Sequence, residues 1–187
     1  MKVLYYDCFA GISGDMNLGA MIDLGVDEKY ISNELTKLNI KDEFKLEVKK
    51  DIRKGISGTK VNVILNESLK NDNTSKERNL EDIYEIIKKS DLNEKVKEIS
   101  RKIFFKIAEA EGKIHNKDIN KVHFHEVGAT DSIIDIIGAA ICADYLKVDK
   151  ILCSSVQLGT GFVKCQHGLF PVPAPAKIGR ASCRERV

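Results

Sequence analysis

Residues 122–135, "VHFHEVGATDSIID", decide the predicted fold, because their apolar spacing changes there from that of a strand to that of a helix. The segment 121–126 has the composition of a short strand. The Gly-Ala-Thr segment then breaks the strand, and Thr130 or Asp131 is a suitable N-cap for a helix predicted from about 131 to 146. Isoleucines flank this helix on most sides, so we expect it to be buried nearly all round.

The rest of the chain alternates between strand and helix patterns, which predicts a mixed α/β or α+β layer fold with helices packed on a mixed sheet in a single domain. Residues 66–78, "NESLKNDNTSKER", are polar and lack periodicity, so we expect a mobile loop there. The other predicted elements are strands at 2–7, 150–157 and 161–165, a pair of strands around a turn at Gly55–Gly58, and helices at 13–24, 27–38, 79–90 and 92–112.

Composition excludes several classes of function. The 30 basic and 28 acidic residues give a net charge of +2, so no strong field for nucleic acid is implied, and with no tryptophan and few aromatic residues there is little surface on which bases could stack. We find no charged leader before an apolar run and no apolar stretch long enough for a bilayer, and we expect a cytoplasmic protein without membrane contact. The five cysteines form no C-x-x-C pair, which argues against a zinc framework or a disulfide scaffold.

The opening stretch also concentrates possible metal ligands. On a strand, His123 and His125 share one face with Cα atoms about 7 Å apart, so both imidazoles can reach one ion. Asp131 and Asp135 lie on one stripe of the following helix. A lone buried carboxylate costs several kcal/mol, so we expect Asp135 to be paired with a cation, a cluster of donors or a metal. Each residue singly also fits a structural alternative: a helix cap, an ion pair with Lys or Arg, or a partly exposed strand histidine.

A second candidate site is "YYDCFAGISGDM" at 5–16, where Asp7 ends a predicted strand and Gly11 and Gly14 shape the loop before a helix. Loops at the carboxyl ends of strands are where α/β folds bind ligands, and glycine lets the backbone approach a phosphate. The pattern is not a Walker A loop, since the lysine is missing. The structural alternative is a tight turn with Ser13 as N-cap and Asp15 interacting with the helix dipole.

A third candidate is "GTGFVKCQHGLFPVPAPA" at 159–176. Cys165 and His167 would share a face of a strand, and the prolines that follow give a stiff extended run. Such a pair suits nickel, zinc or copper. A buried free cysteine and a hydrogen-bonded histidine in a rigid loop explain the same residues.

Three segments, in this order, resemble the nickel insertion proteins that make the nickel-pincer cofactor of lactate racemase: "DCFAGISGDM" at 7–16, "FHEVGATDSIIDIIGAA" at 124–140 and the 159–176 stretch. The resemblance covers the chain up to about Lys177. It implies a nickel chelatase, a lyase-type enzyme that inserts Ni²⁺ into a pyridinium bis-thiocarboxylic acid mononucleotide. The family's reaction consumes CTP with Mg²⁺ or Mn²⁺, and lactate racemase is the downstream recipient of the cofactor.

Together with this resemblance, the motifs suggest roles for individual residues as hypotheses. We expect metal contacts from four residues: His123, His125, Glu126 and His167. We expect catalytic or cation-pairing roles for four aspartates: Asp7, Asp15, Asp131 and Asp135. The loop positions expected to approach a nucleotide cofactor are Gly11, Ser13 and Gly14.

The resemblance also predicts the boundaries of the domain. Residues 178–187, "IGRASCRERV", correspond to read-through of a sequencing adapter, and we expect a non-native tail. Residues 1–177 would then be the N-terminal domain of a longer protein whose C-terminal domain, expected to bind CTP, is missing, so the fragment alone could be inactive. Many family members carry a histidine-rich tract where 66–78 has no histidine.

Two alternative functions remain open, and a homo-oligomer is compatible with each of them. One is a nickel-binding or storage module without catalysis. The other is a phosphate-ester hydrolase built on the "AGISGDM" loop at 10–16.

Overall fold

The computed structural model describes residues 1–66, 78–124, 129–165 and 168–172. In these residues helices and short paired strands are mixed, which confirms the predicted mixed α/β class. The helices are α1 (Gly14–Asp23), α2 (Glu28–Leu35), α3 (Leu80–Lys89), α4 (Glu94–His115) and α5 (Thr130–Tyr145), with 3-10 turns at Lys41–Glu43 and Ile119–Lys121. The strands are β1 (Val3–Tyr6), β2 (Phe44–Arg53), β3 (Ile56–Leu65), β4 (Arg78–Asn79), β5 (His123–Phe124), β6 (Lys150–Cys153), β7 (Gly161–Cys165) and β8 (Gly168–Val172).

Helix α5 is the centre of the core, as its isoleucines predict. Ile133, Ile134 and Ile137 are fully buried, and the helix packs against α1, α2 and α4. A Cβ added at Gly138 would lie 2.8 Å from a methyl of Leu18, so glycine there lets α1 approach α5 closely. The helix begins at Thr130 with Ala129 as its N-cap residue, so the prediction that Thr130 or Asp131 is the N-cap was wrong by one or two residues.

The hydroxyl of Thr130 is engaged in tertiary contacts instead of a cap. It donates to the carboxylate of Glu43 at 2.6 Å and accepts from the guanidinium of Arg78 at 3.1 Å. Arg78 in turn donates two hydrogen bonds to Glu43, at 2.7 and 2.8 Å. This largely buried network ties β4 and the 3-10 turn just before β2 to the first turn of α5, which holds the amino end of that helix in place.

Strands β1 and β6 form a parallel pair, with Val3 opposite Lys150 and Tyr6 opposite Cys153. Both strands therefore end at the same edge. The loops that follow them run side by side there: the Cys8 amide donates to the Ser154 hydroxyl at 2.8 Å, and the Gln157 amide donates to the Cys8 carbonyl at 3.1 Å. Strand β6 is shorter than the predicted 150–157, because its backbone turns to bond this loop.

The predicted pair of strands in the second quarter of the chain is an antiparallel hairpin of β2 and β3. Its turn lies at Lys54 and Gly55, both with positive φ, whereas Gly58 lies inside β3 opposite Asp51. The two-residue strand β4 and the strand β8, which pairs with β7, were not predicted. The predicted loop at 66–78 falls mostly on residues outside the described ones. In the described part of the chain, no helix is long and apolar enough to cross a membrane.

Candidate functional site

A candidate site lies where the carboxyl ends of β1 and β6 meet the first turns of α1 and α5. We call it the carboxyl-end site and define it by residues 7–17, 131–135 and 153–157. Ligands of open α/β folds bind outside the carboxyl ends of parallel strands, where loops and helix N-termini present backbone N–H groups. The structure thus brings the candidate site at 5–16 together with the aspartate stripe of 122–135.

Contact between α1 and α5 is closest at Gly14 and Asp135. A Cβ added at Gly14 would lie 2.0 Å from Oδ2 of Asp135, a distance no real Cβ contact tolerates. Only glycine at this position leaves room for the carboxyl group. The sequence predicts that Gly14 lets the backbone approach a cofactor. In the structure, the group that lies against Gly14 is the Asp135 side chain.

The Asp135 carboxyl is the most perturbed acid of this site. Its Oδ1 is buried and has no hydrogen-bond partner among the described residues. Burial first, and then the nearby charges of Asp131 and Asp15, raise the pKa of Asp135 from its usual 3.8 to about 6. The expected cation or donor cluster for Asp135 is not found in the described part of the chain, so burial disfavours its ionised form without a compensating partner there.

The other candidate residues of the 5–16 segment lie on the loop before α1 and in the first turn of that helix. Ser13 is the N-cap residue of α1, as predicted, but its hydroxyl donates to the Asp15 carboxylate and accepts no hydrogen bond from a backbone N–H of the helix. Asp7 is exposed, directly after β1. Gly11 has φ +87°, and a Cβ there would lie 3.2 Å from the Gln157 carbonyl oxygen, so the two loops approach closely at a glycine.

Asn17, which sequence reasoning missed, adds a second oxygen of this kind. Its Oδ1 is buried without a hydrogen-bond partner among the described residues, in the first turn of α1. Oxygen acceptors without donors favour a cation or a ligand that supplies hydrogen-bond donors. Across the residues that the structure describes, however, no three His, Cys, Asp or Glu side chains form a ready metal cluster. The site is therefore a set of acceptors that a ligand would complete.

The predicted histidine site is located only in part. His123 lies in β5 at the position opposite Asn79. The described part of the structure does not include the His123 side chain. It also does not include any part of His125, Glu126 or His167. Cys165 ends β7 opposite Gly168. Metal binding by His123, His125, Glu126 and His167 stays a prediction.

Two cysteines far apart in sequence meet at the carboxyl-end site. The Sγ atoms of Cys8 and Cys153 lie 3.7 Å apart, although 145 positions separate the residues. Both are free thiols. Burial, followed by the interactions with Cys153, raises the pKa of the Cys8 thiol. No sequence motif marked this pair, because it arises only from the pairing of β1 with β6.

Comparison with a family model and with curated proteins points to one family in each case. A family model described as "Nickel insertion protein" matches residues 4–180. Two relatives are described as pyridinium-3,5-bisthiocarboxylic acid mononucleotide nickel insertion proteins. The one from Clostridium kluyveri is 57% identical over 94% of this chain, and the one from Clostridium acetobutylicum is 52% identical over 95% of this chain. These alignments cover 46% and 49% of the two relatives, so the chain spans about half the length of the curated relatives it matches. A putative nickel insertion protein from Maridesulfovibrio salexigens is 53% identical over 94% of this chain and 47% of its own length. No solved structure matches the chain.

Proposed function

The chain belongs to the nickel insertion protein family, and from this premise we propose that it contributes the nickel-handling part of a chelatase that inserts Ni²⁺ into a pyridinium bis-thiocarboxylic acid mononucleotide. The observation that supports this proposal is the meeting of two of the three family-like segments, 7–16 and the first helical turns of 124–140, at the carboxyl-end site. There the partnerless carboxyl oxygen of Asp135 lies against Gly14, beside the negative charges of Asp15 and Asp131. An electronegative site that lacks a cation is suited to a cationic cargo.

The chemistry of the substrate fits a transfer of this kind. The relatives' name specifies two thiocarboxylic acid groups, and sulfur donors of this kind bind nickel in preference to hard cations. A protein that delivers nickel to such ligands must hold the ion with few groups that exchange readily. We assign this role to His123, His125, Glu126 and His167, with the aspartates of the carboxyl-end site attracting the cation.

CTP and a divalent cation complete the proposed reaction. The carboxylates fit Mg²⁺ or Mn²⁺, because these ions take carboxylate oxygens, Asp15 lies close enough to act on the charge of Asp135, and Asp135 presents a buried oxygen that no described residue donates to. We propose that Asp15 and Asp135 hold this cation, which would neutralise phosphate charge on the nucleotide. The Gly11–Gly14 loop lies at the amino end of α1, where backbone N–H groups favour phosphate.

The remaining parts of the proposal concern the whole protein. It acts in the cytoplasm, and lactate racemase receives the finished cofactor. A homo-oligomer is part of the same hypothesis. The segment outside this chain in the longer relatives supplies the main CTP contacts, so 1–177 works as one domain of a two-part enzyme and 178–187 contributes nothing to it.

A chimera tests the function directly. In this chimera the chain replaces the matching half of the Clostridium kluyveri relative. It is incubated with Ni²⁺, the mononucleotide, CTP and Mg²⁺, and the nickel-bearing product is measured by mass spectrometry. We expect product that depends on CTP, and a loss of at least about tenfold in the His123→Ala/His125→Ala variant, since nickel ligands would be missing.

The two rival functions give different results in the same assay. A storage module would bind Ni²⁺ and form no product with or without CTP. A phosphate-ester hydrolase would release phosphate without nickel and lose that activity in Asp7→Asn. Either result would replace the chelatase proposal.

A further inference from the structure

The Cys8 and Cys153 pair has the geometry of a metal chelate. Thiolates bound to one tetrahedral ion at about 2.3 Å each lie about 3.8 Å apart, the edge of the tetrahedron, and the square-planar geometry that Ni²⁺ favours would draw them closer together. The two Sγ atoms here are 3.7 Å apart before any metal is bound. In the free thiols this contact is a hydrogen bond in which either sulfur can donate, so a bound ion would replace it with little movement of the sulfurs.

The backbone around the pair fixes this spacing. Cys153 is the last residue of β6 and lies opposite Tyr6 in the parallel register. The Cys8 backbone is bonded on both sides to the loop after β6, through its amide to Ser154 and its carbonyl to Gln157. A site held by strand pairing and loop hydrogen bonds loses little conformational entropy when an ion binds.

Exposure and charge also suit an ion that enters and leaves. Cys8 is 2% exposed whereas Cys153 is exposed, so one thiol is anchored in the protein and the other meets the solvent. The carboxylate of Asp7 acts electrostatically on the Cys8 thiol and adds negative potential. Because no third metal-ligating side chain completes a cluster in the described part of the chain, a bound ion would keep open positions.

We propose that Cys8 and Cys153 bind one thiophilic divalent cation as a pair of thiolates, and that under the proposed function this ion is nickel held before its insertion. Binding forms two metal–sulfur bonds and breaks two S–H bonds, and the two protons pass to the solvent. The positions left open on the ion are available to water or to the sulfur atoms of the substrate. The part that concerns nickel insertion rests on the proposed function.

The test is a titration of the reduced chain with Ni²⁺ in the absence of air, in a background of Cys165→Ser and Cys183→Ser. The thiolate-to-nickel charge-transfer band and the release of protons are recorded. We expect the thiolate band to saturate at one ion per chain with release of about two protons, whatever further Ni²⁺ the histidine ligands take up without this band. Cys153→Ser and Cys8→Ser should each lose the band, whereas Cys142→Ser, which removes a buried thiol outside the pair, should keep it.

Cys153→Ser is the decisive variant, because this residue is exposed and its replacement leaves the core intact. Circular dichroism confirms that each variant is folded. Absence of the band in the parent, or an unchanged band in Cys153→Ser, overturns the proposal. A chain that shows the thiolate band while its chimera forms no nickel-bearing product leaves this site standing and refutes only the chelatase function.

Discussion

Replacement of Asp135 by asparagine should stabilise the protein at neutral pH and make its stability less dependent on pH. Burial and the charges of Asp131 and Asp15 raise the pKa of this carboxyl from 3.8 to about 6 in the folded state. Folding therefore disfavours the ionised form. Because the pKa of Asp135 is higher in the folded state than in the unfolded state, the stability that this group contributes is present below about pH 4. It falls as the pH rises and is gone above about pH 6.

The magnitude follows from the size of the shift. Two units at 1.36 kcal/mol each correspond to about 3 kcal/mol, of which about 2 kcal/mol would be lost between about pH 4.5 and about pH 7.5. Asp135 is only partly buried, and solvent screening reduces the expected value to about 1–2 kcal/mol. Asparagine has nearly the same shape, so it fits against Gly14 without the charge that the parent must accommodate.

The assay is urea unfolding of the parent and of Asp135→Asn at both pH values, followed by circular dichroism. We expect the variant to gain about 1–2 kcal/mol over the parent on going from the lower to the higher pH. Asp91→Asn is the matched control, since Asp91 is exposed between α3 and α4 and away from this cluster. If parent and Asp135→Asn show parallel pH profiles, the reasoning about the buried carboxyl is wrong.

Three further variants, two of them with a control variant, probe contacts at the amino end of α5. Gly14→Ala should cost about 1–3 kcal/mol in urea unfolding, because the added Cβ would overlap the Asp135 carboxyl. Gly58→Ala, whose Cβ would meet nothing closer than 4.0 Å, should change stability by no more than about 0.5 kcal/mol, and equal effects would refute the packing role. Arg78→Met should cost about 3 kcal/mol because it removes the cationic partner of Glu43 from a partly buried network, and its thermal unfolding is compared with that of Arg53→Met, which breaks an exposed pair. Asp131→Asn should lower the pKa of Asp135, measured as the midpoint of its carboxyl titration by NMR, and an unmoved midpoint would remove Asp131 as a cause.

Local patterns were sufficient for the main elements. The isoleucine spacing of α5 predicted both a helix and its burial, since a periodicity of 3.6 residues and apolar surface are properties of neighbouring residues. The quoted motifs were also sufficient to indicate the family that the comparisons found. The N-cap of α5 was misplaced because Thr130 has a better partner, Glu43, which lies 87 positions earlier in the chain.

Contacts between distant segments were beyond the reach of any local pattern. The sequence alone marked Asp135 as a carboxylate in need of a partner, but only the packing of α1 on α5 placed it against Gly14 and left its oxygen without one. In the same way, composition argued against a cysteine framework, and only the parallel pairing of β1 with β6 brought Cys8 to Cys153. Periodicity determines which face of an element is apolar, whereas the partner of a side chain depends on which elements pack together, and that is decided by the free energy of the whole core.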